Sequence, residues 1–197
     1  MPLSRTGSTG RGGGEVESTK MFHRSQRLLL RPPWPEDWCE ILGGIADEGV
    51  VRNLARAPWP YRPHHAREFV ASPAAPRFPR FVVARADNAA MVGCVGIDQV
   101  GNTAELGYWI ARPYWGRGYA TEAGRAALEI ARMLGHSRIV ASHFLDNPAS
   151  GRVLQKLGFA ATGAIRPRFS CGRGGEALAA EYALDLECEC EPDMRAA

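Results

Sequence analysis

Apolar and polar positions along this chain change their period several times, and each change predicts an element. Arg27-Leu28-Leu29-Leu30-Arg31 is a short apolar run closed by Pro32-Pro33 and reads as a strand. Pro35-Glu36-Asp37 puts a proline and two acids where a helix begins. Trp38, Ile41 and Leu42 continue that helix, and Gly43-Gly44 weakens its end. A second short helix is expected from Asp47 to Leu54, an irregular loop at Pro58, Pro60 and Pro63, and a third short helix from His64 to Val70. Three strands then follow: Phe81 to Ala84, Met91 to Ile97 and Thr103 to Ile110. Asp87-Asn88 and Gly101-Asn102 are turn signals between them, so the three form an antiparallel meander.

The pattern next switches to a helical one. Ala123, Ala127, Ile130, Ala131 and Leu134 fall on one face, and Gly135 ends the run. Arg138 to Phe144 reads as a strand. Asn147-Pro148 opens another helix, with Val153, Leu154 and Leu157 as its apolar stripe and Gly158 as its stop. Phe159 onward and Glu181 to Leu186 supply the last strands. The fold class is α/β (α+β): three layers, with strands flanked by helices. Residues 1–20, which include Gly12-Gly13-Gly14, lack apolar periodicity and read as a flexible segment. Residues 21–187 read as a single domain and 188–197 as a polar tail.

Composition narrows the function only a little. The 197 residues are 45% hydrophobic and 23% charged, ordinary for a globular domain able to bury its own core. The net charge of +3 comes from scattered basic residues, which argues against a nucleic-acid patch. No apolar run has the length of a membrane span, and no secretory h-region opens the chain. Cys39, Cys94, Cys171, Cys188 and Cys190 lack paired-ligand spacing and read as free thiols of a cytoplasmic protein, with no metal implied.

The segment Trp115-Gly116-Arg117-Gly118-Tyr119-Ala120-Thr121-Glu122-Ala123 carries the strongest chemical signal. It joins a predicted strand to a predicted helix. Such a glycine-rich turn exposes backbone N–H groups at a helix N-terminus and suits a pyrophosphate. Alone, it is equally a tight turn. Its neighbours decide. Glu105-Leu106-Gly107-Tyr108-Trp109-Ile110, the loop Trp115 to Ala120, Asp146-Asn147-Pro148-Ala149-Ser150 and Leu154-Gln155-Lys156-Leu157-Gly158-Phe159 occur in order. Gln26 to Arg31 followed by Pro35-Glu36-Asp37 opens the set. Together they resemble the GNAT N-acetyltransferase superfamily, in the branch like the ribosomal-protein N-terminal acetyltransferases RimJ and RimL. The resemblance covers roughly residues 25–186.

That resemblance implies a mixed, mostly antiparallel central sheet with helices on both faces and two splayed central strands that admit pantetheine. It implies acetyl-CoA as donor, a primary amine as acceptor, and direct attack in a ternary complex. Trp115, Gly116, Arg117, Gly118, Tyr119, Ala120 and Thr121 would surround the pyrophosphate, although the family's first loop position is Gln or Arg and here it is Trp115. Backbone groups of Trp109, Ile110 and Ala111 would meet the pantetheine amides as an added strand does. Asn147, already an N-cap by pattern, would bond the pantetheine arm, and Ser150 would meet the sulfur. Many GNAT enzymes place an acidic tyrosine seven residues after that asparagine. Leu154 stands there, which favours Ser150 as the catalytic donor to the leaving thiolate and leaves water as the alternative proton source.

Glu105 is the leading general base. At pH 7 a lysine amine is neutral in roughly one molecule per thousand and an α-amino group in roughly one per ten, so the demand on a base is milder for N-termini. A structural or substrate-positioning carboxylate is the equal alternative. Glu181 and His143 stand behind Glu105, and Cys94 reads as core. The loop Ala57 to Arg67, with Trp59, Tyr61, His64 and His65, and the segment Phe169 to Glu176, read as a mobile hairpin or loop, are expected to border the acceptor groove. The acceptor is left open between a protein N-terminus and a small-molecule amine, and the assembly between monomer and homodimer. A non-catalytic acyl-CoA sensor is the competing reading. A nucleotide-binding protein of another kind is disfavoured because no Walker lysine follows the glycines.

Overall fold

The computed structural model describes residues 21–186. The expected flexible segment 1–20, the tail, and Cys188 and Cys190 lie outside these described residues. Strands β1 (His23–Arg24), β2 (Leu28–Arg31), β3 (Arg80–Arg85), β4 (Met91–Val100) and β5 (Thr103–Ile110) form one antiparallel run. Strands β6 (Arg138–Phe144), β7 (Ala160–Ser170) and β8 (Gly175–Asp185) complete a sheet of order β1-β2-β3-β4-β5-β6-β8-β7. Helices α1 (Trp38–Ile45), α2 (Glu48–Val51) and α3 (Pro63–Ala71) cover one face. Helices α4 (Tyr119–Met133) and α5 (Pro148–Lys156) cover the other.

The alternation of β5 sorts its side chains between the faces. Leu106 and Ile110 join the core under α4 and α5, together with Leu28, Phe81, Ile97, Ile130 and Leu154. Trp109 joins the opposite core with Ile41, Val51, Tyr61 and Met91. Helix α4 buries a face rich in alanine, Ala123, Ala127 and Ala131, and its Gly124 makes room for Leu157 at the end of α5, where a Cβ would come within 2.6 Å.

Two local expectations change. Helix α1 continues through Gly43-Gly44 to Ile45. A Cβ on Gly44 would lie 3.2 Å from the Trp109 ring and 3.3 Å from the Met91 methyl, so this glycine brings the helix onto the sheet. The Phe169–Glu176 segment, expected as a mobile hairpin or loop, is a hairpin tip, and it is docked on a neighbouring stretch of chain. Ser170 Oγ donates to the Leu54 carbonyl at 2.7 Å, and the Cys171 N–H donates to the Ala55 carbonyl at 2.9 Å. Gly172 packs directly against Val51.

The feature that positions the site is the one parallel pairing. Strands β5 and β6 share register only at Ala104–Ile139 and Glu105–Val140. Beyond Glu105 they part, although β5 runs to Ile110 and β6 to Phe144. The parting leaves a notch inside the sheet.

Candidate functional site

The notch has a backbone wall. Odd-numbered residues of β5 pair with β4: the Ala111 N–H donates to the Val92 carbonyl at 2.8 Å, and the alternation carries back through Trp109. The Ala111 carbonyl is also taken, by the Tyr114 N–H at 2.9 Å. This corrects the expectation for Trp109 and Ala111, whose backbone groups face the sheet interior and the following turn. Tyr108 and Ile110 present theirs to the notch. The Ile110 carbonyl already accepts from the Trp115 indole Nε1 at 2.6 Å. Trp115, at the position where the family has Gln or Arg, therefore caps the end of this open edge.

The phosphate-type turn follows directly. Gly116 (φ 75°) and Gly118 (φ 79°) occupy the left-handed region, which explains glycine at both. Gly118 is the N-cap of α4 and offers no side-chain cap. The N–H groups of Tyr119, Ala120 and Thr121 begin the helix, before the first i to i−4 bond, made by the Glu122 N–H to the Gly118 carbonyl at 3.1 Å. A ring of unclaimed donors at a helix N-terminus, beside the exposed Arg117, fits a pyrophosphate.

A pair that the sequence reading passed over holds this turn. Arg27 donates through Nε to Glu122 at 2.7 Å and through Nη1 to the Arg117 carbonyl at 3.2 Å. The Arg27 N–H and Ser25 Oγ also donate to Glu122, at 2.7 and 2.8 Å. Burial pushes the Glu122 carboxyl up, but these bonds outweigh it and hold its pKa below the usual range. The available signals were an acid in the first turn of a predicted helix and an arginine opening the first predicted strand. Neither names the other.

On the α4/α5 side, Asn147 caps α5, accepting from the Ser150 N–H at 3.3 Å, as its pattern predicts. Ser150 Oγ lies 2.7 Å from the Tyr108 hydroxyl. His143 packs under α5: a Cβ on Gly151 would come within 2.7 Å of its Nε2, and its Nδ1 lies 2.9 Å from the Phe144 carbonyl. That is a strand histidine tucked against a helix, away from the Glu105 face.

Glu105 lies on the α1–α3 side. Arg168 of β7 reaches across and pairs with both its oxygens, through Nη1 to Oε1 and through Nη2 to Oε2 at 2.8 Å. Ser142 Oγ donates to Oε1 at 3.3 Å. The Glu105 side chain is 12% exposed and that of Arg168 34%. The hydrogen bond to Glu105 raises the Arg168 pKa further, against its burial. Both carboxylate oxygens are thus engaged, and taking a proton from an amine would mean breaking the pair. The geometry favours the positioning alternative over the general base. Sequence patterning could not show this, because Arg168 lies 63 residues away on another strand.

Two further carboxylates bordering this side are also compensated. Asp98 pairs with Arg56. Asp146 takes Arg173 through both oxygens at 2.8 and 2.9 Å, and Arg52 at 2.8 Å. Those hydrogen bonds, Arg173 first, hold the Asp146 carboxyl below its ordinary range. Of the aromatic loop, Tyr61 is buried in the core, and its burial raises its hydroxyl to about 12. Trp59 lines a shallow cavity of about 470 Å³ with Asp47, Glu48, Arg52 and Arg112. Among the described residues no helix is long and apolar enough to cross a membrane.

A family model described as an acetyltransferase (GNAT) domain matches residues 27–160. The chain belongs to the GNAT acetyltransferase family. This GNAT chain is 36% identical over 91 residues to the N-acetyltransferase YoaA of Bacillus subtilis, covering 44% of this chain and 51% of YoaA. It therefore spans about half the length of that relative. It is 28% identical over 142 residues to the N-acetyltransferase YnaD of the same organism, covering 70% of this chain and 82% of YnaD. Among solved structures, a GNAT-family acetyltransferase from Bacillus anthracis superposes with a TM-score of 0.73 at 24% identity, covering 84% of this chain and 98% of that one. RimL, the ribosomal L7/L12 α-N-protein acetyltransferase in complex with coenzyme A, superposes with a TM-score of 0.69 at 17% identity, covering 84% and 97%. At these identities the likeness is one of fold: the GNAT fold expected from the sequence, with its mostly antiparallel sheet between two helical layers, is the one observed.

Proposed function

We propose that this chain transfers the acetyl group of acetyl-CoA to a single primary amine, in the manner of a protein N-terminal acetyltransferase. Acetyl-CoA would enter from the α4/α5 side, with its pyrophosphate on the turn Gly116 to Thr121. Its pantetheine would thread the notch along Tyr108 and Ile110. The Tyr108 and Ile110 N–H groups are the donors placed to meet the amides and the carbonyl oxygen as it gains charge. Ser150, whose Oγ lies 2.7 Å from the Tyr108 hydroxyl, would stand at the inner end of that path and donate to the departing sulfur. The acceptor would arrive from the α1–α3 side, where Glu105 faces, so that donor and acceptor meet through the sheet.

The observation that carries the choice of acceptor is the state of the carboxylates. Glu105, Asp98 and Asp146 are each paired with arginine. A polycationic acceptor would find no uncompensated negative charge among them. A Glu105 locked by Arg168 also suits an amine that needs little help to lose its proton. An α-amino group, neutral in roughly one molecule per ten at pH 7, is such an amine, and a lysine is not.

The test is acetyl-CoA turnover with peptides bearing free or blocked N-termini, polyamines and aminoglycosides. Acceptor-dependent CoA release with free N-terminal peptides, lost on blocking, is the expected result. Faster turnover with polyamines would overturn the acceptor. Acetyl-CoA binding with no release across the panel would replace the enzyme by a sensor.

A further inference from the structure

We infer that Tyr108 is a positioning residue for the leaving group: its hydroxyl donates to Ser150 Oγ and turns the serine's own hydrogen into the notch, toward the thioester sulfur. This rests on the acetyl-transfer reading above and deepens it.

The two hydroxyls are 2.7 Å apart, so one must donate to the other. Tyr108 stands on β5 and Ser150 in the first turn of α5, so the bond bridges from one side of the notch to the helix that covers it. A phenol is a stronger donor than an aliphatic alcohol, and an aliphatic oxygen is the better acceptor. The reverse arrangement would send the tyrosine hydrogen to the Ser150 carbonyl. That oxygen is 3.4 Å away, at the long limit of a hydrogen bond, and sits within a helix whose own N–H groups compete for it. Burial, opposed in part by the hydrogen bond shared with Ser150, raises the Tyr108 hydroxyl to about 12. It stays protonated through the working range of any enzyme near neutrality, and so remains a donor.

A serine that accepts from tyrosine keeps its own hydrogen free, and the accepted bond strengthens the one it gives. In the transfer, the amine nitrogen forms a bond to the carbonyl carbon and the carbon–sulfur bond breaks, its electron pair staying on sulfur. Ser150 bonds that sulfur as charge develops. The proton shed by nitrogen reaches the thiolate through solvent, so neither hydroxyl undergoes net change. The arrangement would supply from β5 the phenol that Leu154 does not supply from α5.

The test uses the full chain with acetyl-CoA and an acceptor for which the wild type shows turnover. Tyr108→Phe keeps the ring and removes the hydroxyl. Its kcat is expected to fall about five- to tenfold, with KM for acetyl-CoA within about twofold. Ser150→Ala should fall similarly, and the double variant should equal the worse single variant rather than their product. A second readout needs no turnover. With CoA bound, the ultraviolet absorbance of its thiolate should titrate at lower pH in the wild type than in Tyr108→Phe or Ser150→Ala. An unchanged kcat and thiol titration in Tyr108→Phe, or multiplicative losses in the double variant, would overturn the inference. A wild type that binds CoA but transfers to no acceptor would sink the acetyl-transfer reading instead, leaving the thiol titration to judge Tyr108.

Discussion

The two sides of the notch are built from different materials. The side proposed for the donor is backbone: the open edge of β5, the left-handed turn at Gly116 and Gly118, and the first turn of α4. The acceptor side is side chains drawn from distant strands and loops: Glu105 with Arg168, Asp98 with Arg56, and Asp146 with Arg173 and Arg52. Backbone donors serve any protein that binds the same donor molecule. Side-chain pairs can be rearranged without touching them. Under the proposed function, donor chemistry is thereby separated from acceptor choice, within one sheet.

The largest expected effect comes from the donor side. Gly118→Val forces a β-branched residue into φ 79°, at roughly 1–2 kcal/mol or more, and puts a Cβ 3.6 Å from Nη2 of Arg27, the guanidinium that braces the turn. KM for acetyl-CoA should rise about a hundredfold by steady-state kinetics, with acceptor KM little changed. A larger change in acceptor KM would break the separation. On the other side, Arg173→Ala frees the hairpin tip from Asp146 and from the Arg52 carbonyl. Acceptor KM should rise about tenfold while KM for acetyl-CoA stays within about twofold, and equal changes in both would show that the sides are coupled.

Glu105→Gln sharpens the same comparison. As a positioning carboxylate, its loss should lower acceptor kcat/KM about three- to tenfold and leave the shape of the pH–rate profile unchanged. Loss of the profile's acid limb would return Glu105 to the role of base. The smallest effect is one of stability. Glu122 has a folded-state pKa below its unfolded value, so its contribution is fully present above the ordinary glutamate value, about 4.3. It is lost as pH falls through the lowered value. Arg27→Met should flatten that acid loss in thermal melts recorded from pH about 5 to 3. A melt curve parallel to the wild type would deny the pair its role.

The sequence exposed the donor side far better than the acceptor side, and for a physical reason. Gly118, Asn147 and Pro148 act on residues within one turn of themselves, so their spacing is readable. The strand Arg138–Phe144 was expected with its observed limits. The strand ending at Ile110 was also anticipated, but the assignment of backbone donors slipped by one residue. Which residues face outward depends on the register with β4, and register is a tertiary fact. Arg168 was unreadable because its partner lies on β5, with β6 and β8 between them in the sheet order. The docking of Gly172 on Val51 was likewise invisible: a glycine beside Arg173 and Gly174 reads as a loose turn until the surface beneath it is known.

An open sheet ordinarily has two edges, and this one has four. Beside the outer edges at β1 and β7, the parting of β5 from β6 leaves two more in the middle, with backbone groups unpaired by any strand. Such edges invite foreign strands. Here α5 stands over one side of the opening, and the hairpin tip docked on α2 borders the other. Under the proposed function, the elements that shape the route for the donor also stand between these inner edges and a foreign strand.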